Sequence, residues 1–397
     1  MPERFPSQTL RQILAVAFLW AILGASSARA VILLGTGDPN ANTTPPEGDL
    51  EGSGWQFQGS YGGFLGTPIA PQHFISAQHI NGAGTALVYN GVAYNLLEAR
   101  NDPYSDLTVW RVQGTFPNFA PLYTGTGEVG QRLVVIGRGT QRGDLVVKNG
   151  TPRGWFWGPY DVVQRWGENI VTDIVNDGPV NQYVYAEFDA NGSPNEAHLS
   201  SGDSGGAVFI RDGALWKLAG ISYAVDGPFF ETSTGGNSFD GALYDARDYY
   251  YFDPQAPTGY RLIAGPRPVP SGFYASRISS KLPFIYSAID PAGDINGNGV
   301  SNMVEYGQSL NLPPPLGPGA PTVVKESGFV SIVFRKLMLP NAPQYAVQQS
   351  TDARSWVTVT PTEFLQSVQG EVHTIKARVP TTGSRLFLRV LISPPSS

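Results

Sequence analysis

From Val31 to about Ile289 the chain alternates short β-branched or aromatic runs with turns of Gly, Pro, Asn and Asp; the runs include GGFLGTPIA, TALVYNGVAY, LTVWRV, RLVVIG, DLVVKN, YVYAEF, GAVFI and WKLAGISY. No helical pattern separates one run from the next. Strands so short and so closely punctuated bury an apolar face by assembling into an antiparallel sandwich or barrel. The composition agrees, because 47 Gly and 33 Pro supply turns and only 15% of residues are charged, fewer than a helical bundle uses. A chain of 397 residues has room for two or three domains at roughly 100–200 residues each. There is no internal repeat.

The first thirty residues, MPERFPSQTLRQILAVAFLWAILGASSARA, place Arg4 and Arg11 before the apolar run Ile13 to Gly24 and end on Ala28-Arg29-Ala30. That pattern predicts a secretory signal peptide over residues 1–30 with cleavage after Ala30. The apolar run is shorter than the roughly 20 residues a membrane span needs, and no later segment is apolar enough to replace it. The expected mature chain is therefore soluble, and secreted or periplasmic. A net charge of −6 with no basic run excludes nucleic acid and an anionic membrane surface as partners. With no cysteine, the exported chain has no disulfide, thiolate or cysteine metal site.

One stretch, HLSSGDSGGAVFI at residues 198–210, sets Ser204 between an acid and two glycines. A serine hydroxyl becomes a nucleophile only with a base to take its proton, a group to orient that base and donors for the oxyanion. The chain has four histidines, His73, His79, His198 and His373. His79 ends GTPIAPQHFISAQHI, where an apolar strand leads into a small-residue turn. Asp106 heads the apolar strand DLTVW, while Asp102, in NDPYSD, is the rival acid. His73 and His373 have no paired acid in a motif and read as surface or strand residues.

The order His79, Asp106, Ser204 resembles the trypsin/chymotrypsin family of serine proteases. In that family a strand runs into an Ala-Ala-His turn, here FISAQHI; the acid heads a strand, here DLTVW; the nucleophile sits in GDSGG, here Gly202 to Gly206. VIGRGT at 135–140, LAGISYA at 218–224 and PSGFYASRISSKLPFI at 270–285 resemble further family segments, so the likeness spans nearly all of residues 31–288. The resemblance implies a double six-stranded antiparallel β-barrel and a serine endopeptidase acting on proteins or peptides without a catalytic cofactor. It makes His79 the general base, Asp106 its orienting acid, Ser204 the nucleophile, and the backbone N–H groups of Gly202 and Ser204 the oxyanion hole. Ser222, Tyr223 and Ala224 match the strand that pairs with an extended substrate.

His198 stands where trypsin-like members carry the aspartate of the specificity pocket, so the resemblance gives no Arg or Lys preference. It is read either as a pocket-floor histidine held by hydrogen bonds or as a residue that selects substrate. The acidic, aromatic stretch VDGPFFETSTGGNSFDGALYDARDYYYFDPQAP, which begins at Val225, is expected to overhang the pocket. Family members commonly mature by freeing a small β-branched N-terminus whose ammonium pairs with the acid before the serine. Signal removal here frees Val31, with Asp203 as that acid. The other reading of Val31 to Leu34 is an ordinary edge strand.

Residues 289–308 form a separate junction. DINGNGVSNMVE within it fits the D-x-[DN]-x-[DN]-G-x5-E calcium loop, with Asp294, Asn296, Asn298 and Glu305 as side-chain ligands, Val300 through its carbonyl, and Asn302 directly or through water. It resembles the calcium loops of dockerin and thrombospondin type 3 repeats, and implies a structural Ca²⁺. A Pro-rich linker at 309–322 precedes FVSIVF, QYAVQQ, SWVTV, VHTIKARV and RLFLRVL, which predict a small β-sandwich over 323–397. Two alternatives stand beside the enzyme reading: a catalytically silent binding protein on the same fold, and attachment to a surface, polysaccharide or partner through the C-terminal sandwich.

Overall fold

A computed structural model describes residues 31–177, 181–294, 301–308, 321–338, 342–369, 372–381 and 385–393. The chain is mainly β and divides into two compact units, one running to Ala99 and from Ser105 to Ser279, the other comprising Arg100–Tyr104 and the chain from Ser280.

The first unit begins with a closed antiparallel barrel, the architecture of a chymotrypsin-like fold. Its strands follow the order Gly59–Tyr61, Phe64–Ala70, His73–Ala77, Leu107–Val112, Val92–Asn101 and Ala86–Tyr89. Aromatic side chains fill it: Tyr61 and Phe74 are fully buried and meet edge to face at 5.7 Å, with Trp110 stacked on Phe74 at 6.4 Å. Offset and edge-on contacts of this kind add to the area such rings remove from water.

The second half of this unit is a seven-stranded sheet ordered Arg165–Ile170, Arg132–Gly137, Ala207–Asp212, Leu215–Val225, Gly272–Arg277, Asn181–Glu187 and Asp173–Asp177. Leu133, Val135, Val208, Ile210, Ala219, Phe273 and Val184 form its core. A continuous ladder does not close it. Asn169 Nδ2 donates to Glu187 O at 2.8 Å, Thr172 N–H to Tyr185 O at 2.9 Å, and Glu187 N–H to Thr172 Oγ1 at 3.1 Å. Two polar side chains thus satisfy backbone groups where the sheet curls round on itself.

The long stretch after Val225 builds its own four-stranded sheet from Phe229–Phe230, Ser238–Phe239, Tyr250–Phe252 and Tyr260–Leu262. Phe229, Tyr249, Tyr251 and Ile263 pack with Val146 and Leu243 in a separate core. Gly241–Leu243 joins the edge of the hairpin made by Thr140–Lys148 and Thr151–Tyr160. The insertion is therefore anchored on that hairpin.

The second unit holds helices Leu282–Ile289 and Asn302–Gln308 and two sheets whose residues Val330, Ile332, Phe334, Ile375, Ala377, Val347 and Leu388 share one core. Among the described residues, no helix is long and apolar enough to cross a membrane.

Candidate active site

Strand register brings the histidine and the acid together. His73–Ala77 pairs with Leu107–Val112, with Ala77 opposite Leu107, so the residues just beyond that pair face one another. A 3-10 turn at Gln78–Ile80 then lifts His79 out of the barrel. Gln78 N–H donates to Asp106 O at 3.0 Å and His79 N–H to Asp106 Oδ1 at 2.8 Å, fixing the turn on the acid. His79 Nδ1 lies 2.5 Å from Asp106 Oδ2, and Nε2 lies 2.8 Å from Ser204 Oγ. A carboxylate only accepts, so Nδ1 carries the ring proton and Nε2 presents its lone pair to the Ser204 hydroxyl.

Asp102 does not compete for this histidine. It is buried against Lys281 Nζ at 2.9 Å, within the second unit.

Ser204 sits in a turn whose glycines have physical reasons. Gly202 has φ +95° and Gly205 φ +76°, conformations that side chains disfavour. Gly205 N–H donates to Ser222 O at 3.0 Å and Ser222 N–H to Gly206 O at 2.8 Å, which ties the turn to the strand Leu215–Val225. In the ladder between that strand and Gly272–Arg277 the register shifts between Ser222 and Ala224, so Tyr223 bulges from the pairing. Tyr223 stacks on Tyr183 with ring centroids 4.9 Å apart and meets His79 edge-on at 6.3 Å. Ser222 is buried, while Tyr223 and Ala224 are half-buried.

No protein-family profile and no curated protein matches this chain. Solved structures do. The chain is similar to an inactive mutant form of Rv3671c from M. tuberculosis H37Rv, at 13% identity and a TM-score of 0.31, over 58% of this chain and 83% of that one. It is similar to kallikrein-related peptidase 10 at 11% identity and a TM-score of 0.35, over 62% of this chain and 100% of that one. A serine endoprotease from Yersinia pestis matches at 17% identity and a TM-score of 0.27, over 44% of this chain and 51% of that one.

Asp203, beside the serine, is turned into the protein. Its carboxylate accepts from Gly139 N–H at 2.7 Å, Ser200 N–H at 2.8 Å and Ser200 Oγ–H at 3.1 Å, and from the Val31 N–H. Burial pushes this carboxyl up to about 6 against the pull of those donors. Val31 is itself buried, and Ile32 and Leu33 pair with His198 and Ala197. The first strand therefore lies alongside the segment that precedes the serine.

His198 is enclosed. It has no exposed surface, its Nδ1 lies 2.6 Å from Leu199 O, and Ser271 Oγ is 3.2 Å from Nε2. Burial lowers its pKa to about 4, so the ring is neutral at neutral pH. The Leu199 carbonyl must receive the Nδ1 proton, while the single Ser271 hydroxyl proton is shared between Nε2 at 3.2 Å and Leu243 O at 3.1 Å.

Of the proposed calcium ligands, Asn296, Asn298 and Val300 lie outside the described residues, as does the Glu305 side chain. Asp294 and Asn302 are described, and Asn302 Nδ2 donates to Asp290 O at 2.9 Å.

Sequence reading missed Asp226. It follows the strand Leu215–Val225 and accepts from Tyr185 OH, Tyr274 OH and Gly272 N–H, each at 2.8 Å. Burial pushes its carboxyl up to about 6. No local signal marks it, because its two tyrosines come from distant strands. Tyr160, whose ring lies against Gly202, was missed for the same reason.

Proposed function

We propose that this chain is an exported serine endopeptidase in which His79, Asp106 and Ser204 form the catalytic triad. The observation that carries the reading is the unbroken contact from Asp106 Oδ2 through both nitrogens of His79 to Ser204 Oγ, at 2.5 Å and 2.8 Å. His79 Nε2 takes the hydroxyl proton as Ser204 Oγ bonds to the scissile carbonyl carbon. The carbonyl oxygen gains the charge and is met by the N–H groups of Gly202 and Ser204. As the C–N bond breaks, the imidazolium gives its proton to the leaving amine, which leaves an acyl group on Ser204. A water deprotonated by His79 then releases the acid and restores the serine. Asp106 stays ionised throughout, holding the tautomer and stabilising the imidazolium. Ser222 to Ala224 offer an edge along which an extended peptide pairs.

A fluorophosphonate serine-hydrolase probe tests this directly. The protein processed at Ala30 should be labelled, and Ser204→Ala should not. Absence of label on the processed wild type would favour a silent binding protein.

The same reading assigns activation to signal removal. Cleavage after Ala30 turns the Val31 amide into an ammonium beside Asp203, which supports the pairing expected from sequence. In the uncleaved chain the raised Asp203 pKa means that its contribution to stability is fully present below about pH 3.8 and is lost as pH rises through about 6. An ammonium partner reverses that loss. The processed protein should therefore unfold at a higher temperature than the uncleaved chain at pH 7, with the gap closing as the solution is acidified. Asp203→Asn should lower activity. Full activity in Asp203→Asn, or an active protein whose first residue lies well beyond Val31, counts against activation by this route.

A further inference from the structure

Tyr160 ends the strand Thr151–Tyr160, opposite Thr140 in the hairpin ladder. Its ring lies directly on the backbone of Gly202: a Cβ added to Gly202 would stand 2.2 Å from Tyr160 Cε2 and 2.9 Å from Gly139 Cα. The Tyr160 ring and Gly139 thus close off the side of Gly202 on which a side chain would project. The Tyr160 hydroxyl donates to Gly63 O at 3.3 Å, in the turn between barrel strands Gly59–Tyr61 and Phe64–Ala70. One side chain therefore touches both halves of the first unit beside the nucleophile turn.

The chain beyond Tyr160 is fastened as well. Arg138 Nε donates to Val162 O at 2.6 Å. Asp161 accepts from Val163 N–H at 2.7 Å and pairs with Arg165 at 3.1 Å. These contacts keep the strand end, and the ring it carries, from swinging away from Gly202.

The turn has need of such a hold. Glycine gives Gly202 its φ of +95° but leaves that position the most conformationally free in an unconstrained chain. With no cysteine in the sequence, no disulfide braces the turn. The hydrogen bonds to Asp203 fix the residue after Gly202 from the interior, whereas Tyr160 presses on Gly202 itself.

We propose that Tyr160 is a positioning residue for the oxyanion-binding turn, its ring pinning Gly202 so that the Gly202 N–H stays aimed at the carbonyl oxygen of the reacting bond. This rests on the serine peptidase reading. The group that acts on the substrate is the Gly202 N–H, and Tyr160 acts through it. The interaction matters most when the carbonyl oxygen carries charge, so its loss appears in kcat rather than KM.

The test compares Tyr160→Ala and Tyr160→Phe in the processed full chain, with a peptide p-nitroanilide as substrate. A peptide aldehyde, whose hemiacetal oxygen occupies the oxyanion position, serves as the transition-state probe, and the matching product acid serves as the ground-state probe. Tyr160→Ala should lower kcat by about 10–100-fold with KM within about twofold, a fraction of the roughly 10²–10³ seen when an oxyanion donor is removed outright. Aldehyde binding should weaken by a similar factor, with product binding unchanged. Tyr160→Phe, which keeps the ring, should recover kcat to within about threefold of wild type. If Tyr160→Ala does not fold, Tyr160→Leu replaces it, with the same split between kcat and KM expected at smaller size.

Three results overturn the proposal: kcat unchanged in Tyr160→Ala, a rise in KM alone, or a loss in Tyr160→Phe as large as that in Tyr160→Ala. A wild type that neither hydrolyses peptide nor accepts the fluorophosphonate sinks the peptidase reading and this one with it. An active wild type with an unaffected Tyr160→Ala sinks only the role of Tyr160.

Discussion

His79→Ala and Ser204→Ala, made singly, should each lower kcat/KM for a peptide substrate by about 10⁴–10⁶-fold, and the double variant should be no worse than either. The two side chains share one proton, across the 2.8 Å between Nε2 and Oγ. Once either is gone the other has nothing to do, so the losses cannot add. Asp106→Asn should cost about 10⁴-fold, because an amide that donates to Nδ1 leaves the proton on Nε2, where the serine needs a lone pair. Asp102→Asn provides the contrast. Its partner is Lys281, so its effect should appear as lowered stability with kcat retained in the folded fraction. Steady-state kinetics on the five variants, with denaturation curves for each, reads both effects. Additive losses in the double variant, or a loss of kcat in Asp102→Asn equal to that in Asp106→Asn, would mean that these residues do not work as one unit.

That contrast also marks what the sequence could and could not reveal. The barrel was legible because short apolar runs between glycine and proline turns leave few ways to bury an apolar face. His79, Asp106 and Ser204 were legible because each stands beside a strand inside a motif. The choice between Asp102 and Asp106 rested on the strand that starts after Asp106, and the pairing of Ala77 with Leu107 gives that choice its physical basis. Contacts made across the fold were not legible. Asp226 draws on Tyr185 and Tyr274, which lie 41 and 48 positions away, and a tyrosine in a strand looks like any other apolar strand residue. Nothing in the sequence marks Asn169 and Thr172, yet their side chains satisfy backbone groups where the second sheet curls. His198 could be assigned to its place in the chain but not to its surroundings: Ser271 and Phe188, which enclose it, come from distant segments.

Glu128→Gln should destabilise the protein by about 3–5 kcal/mol, the range for breaking a buried ion pair from one side. Glu128 has no exposed surface, and it holds Arg277 through Nε to Oε1 and Nη2 to Oε2, each at 2.7 Å, while Ser279 Oγ–H reaches Oε1 at 2.6 Å. A neutral amide offers a single acceptor oxygen to three donors and turns its own N–H groups toward a guanidinium that cannot lose its charge. Arg277 also donates to Gln182 Oε1 at 2.6 Å, but that neutral partner does not offset the charge. Replacing both members, as in Glu128→Leu with Arg277→Met, should recover much of the loss, because two apolar side chains of similar volume leave no charge stranded. The position connects stability to function. Arg277 lies opposite Gly220 at the end of the strand that supports Ser222 to Ala224, so the pair anchors the sheet on which the proposed substrate edge rests. Urea denaturation supplies the stability difference, and fluorophosphonate labelling below the transition reports the site. Labelling should fall only in proportion to the unfolded fraction. A loss below about 1 kcal/mol in the single variant would place this pair among ion pairs of surface strength, despite its burial.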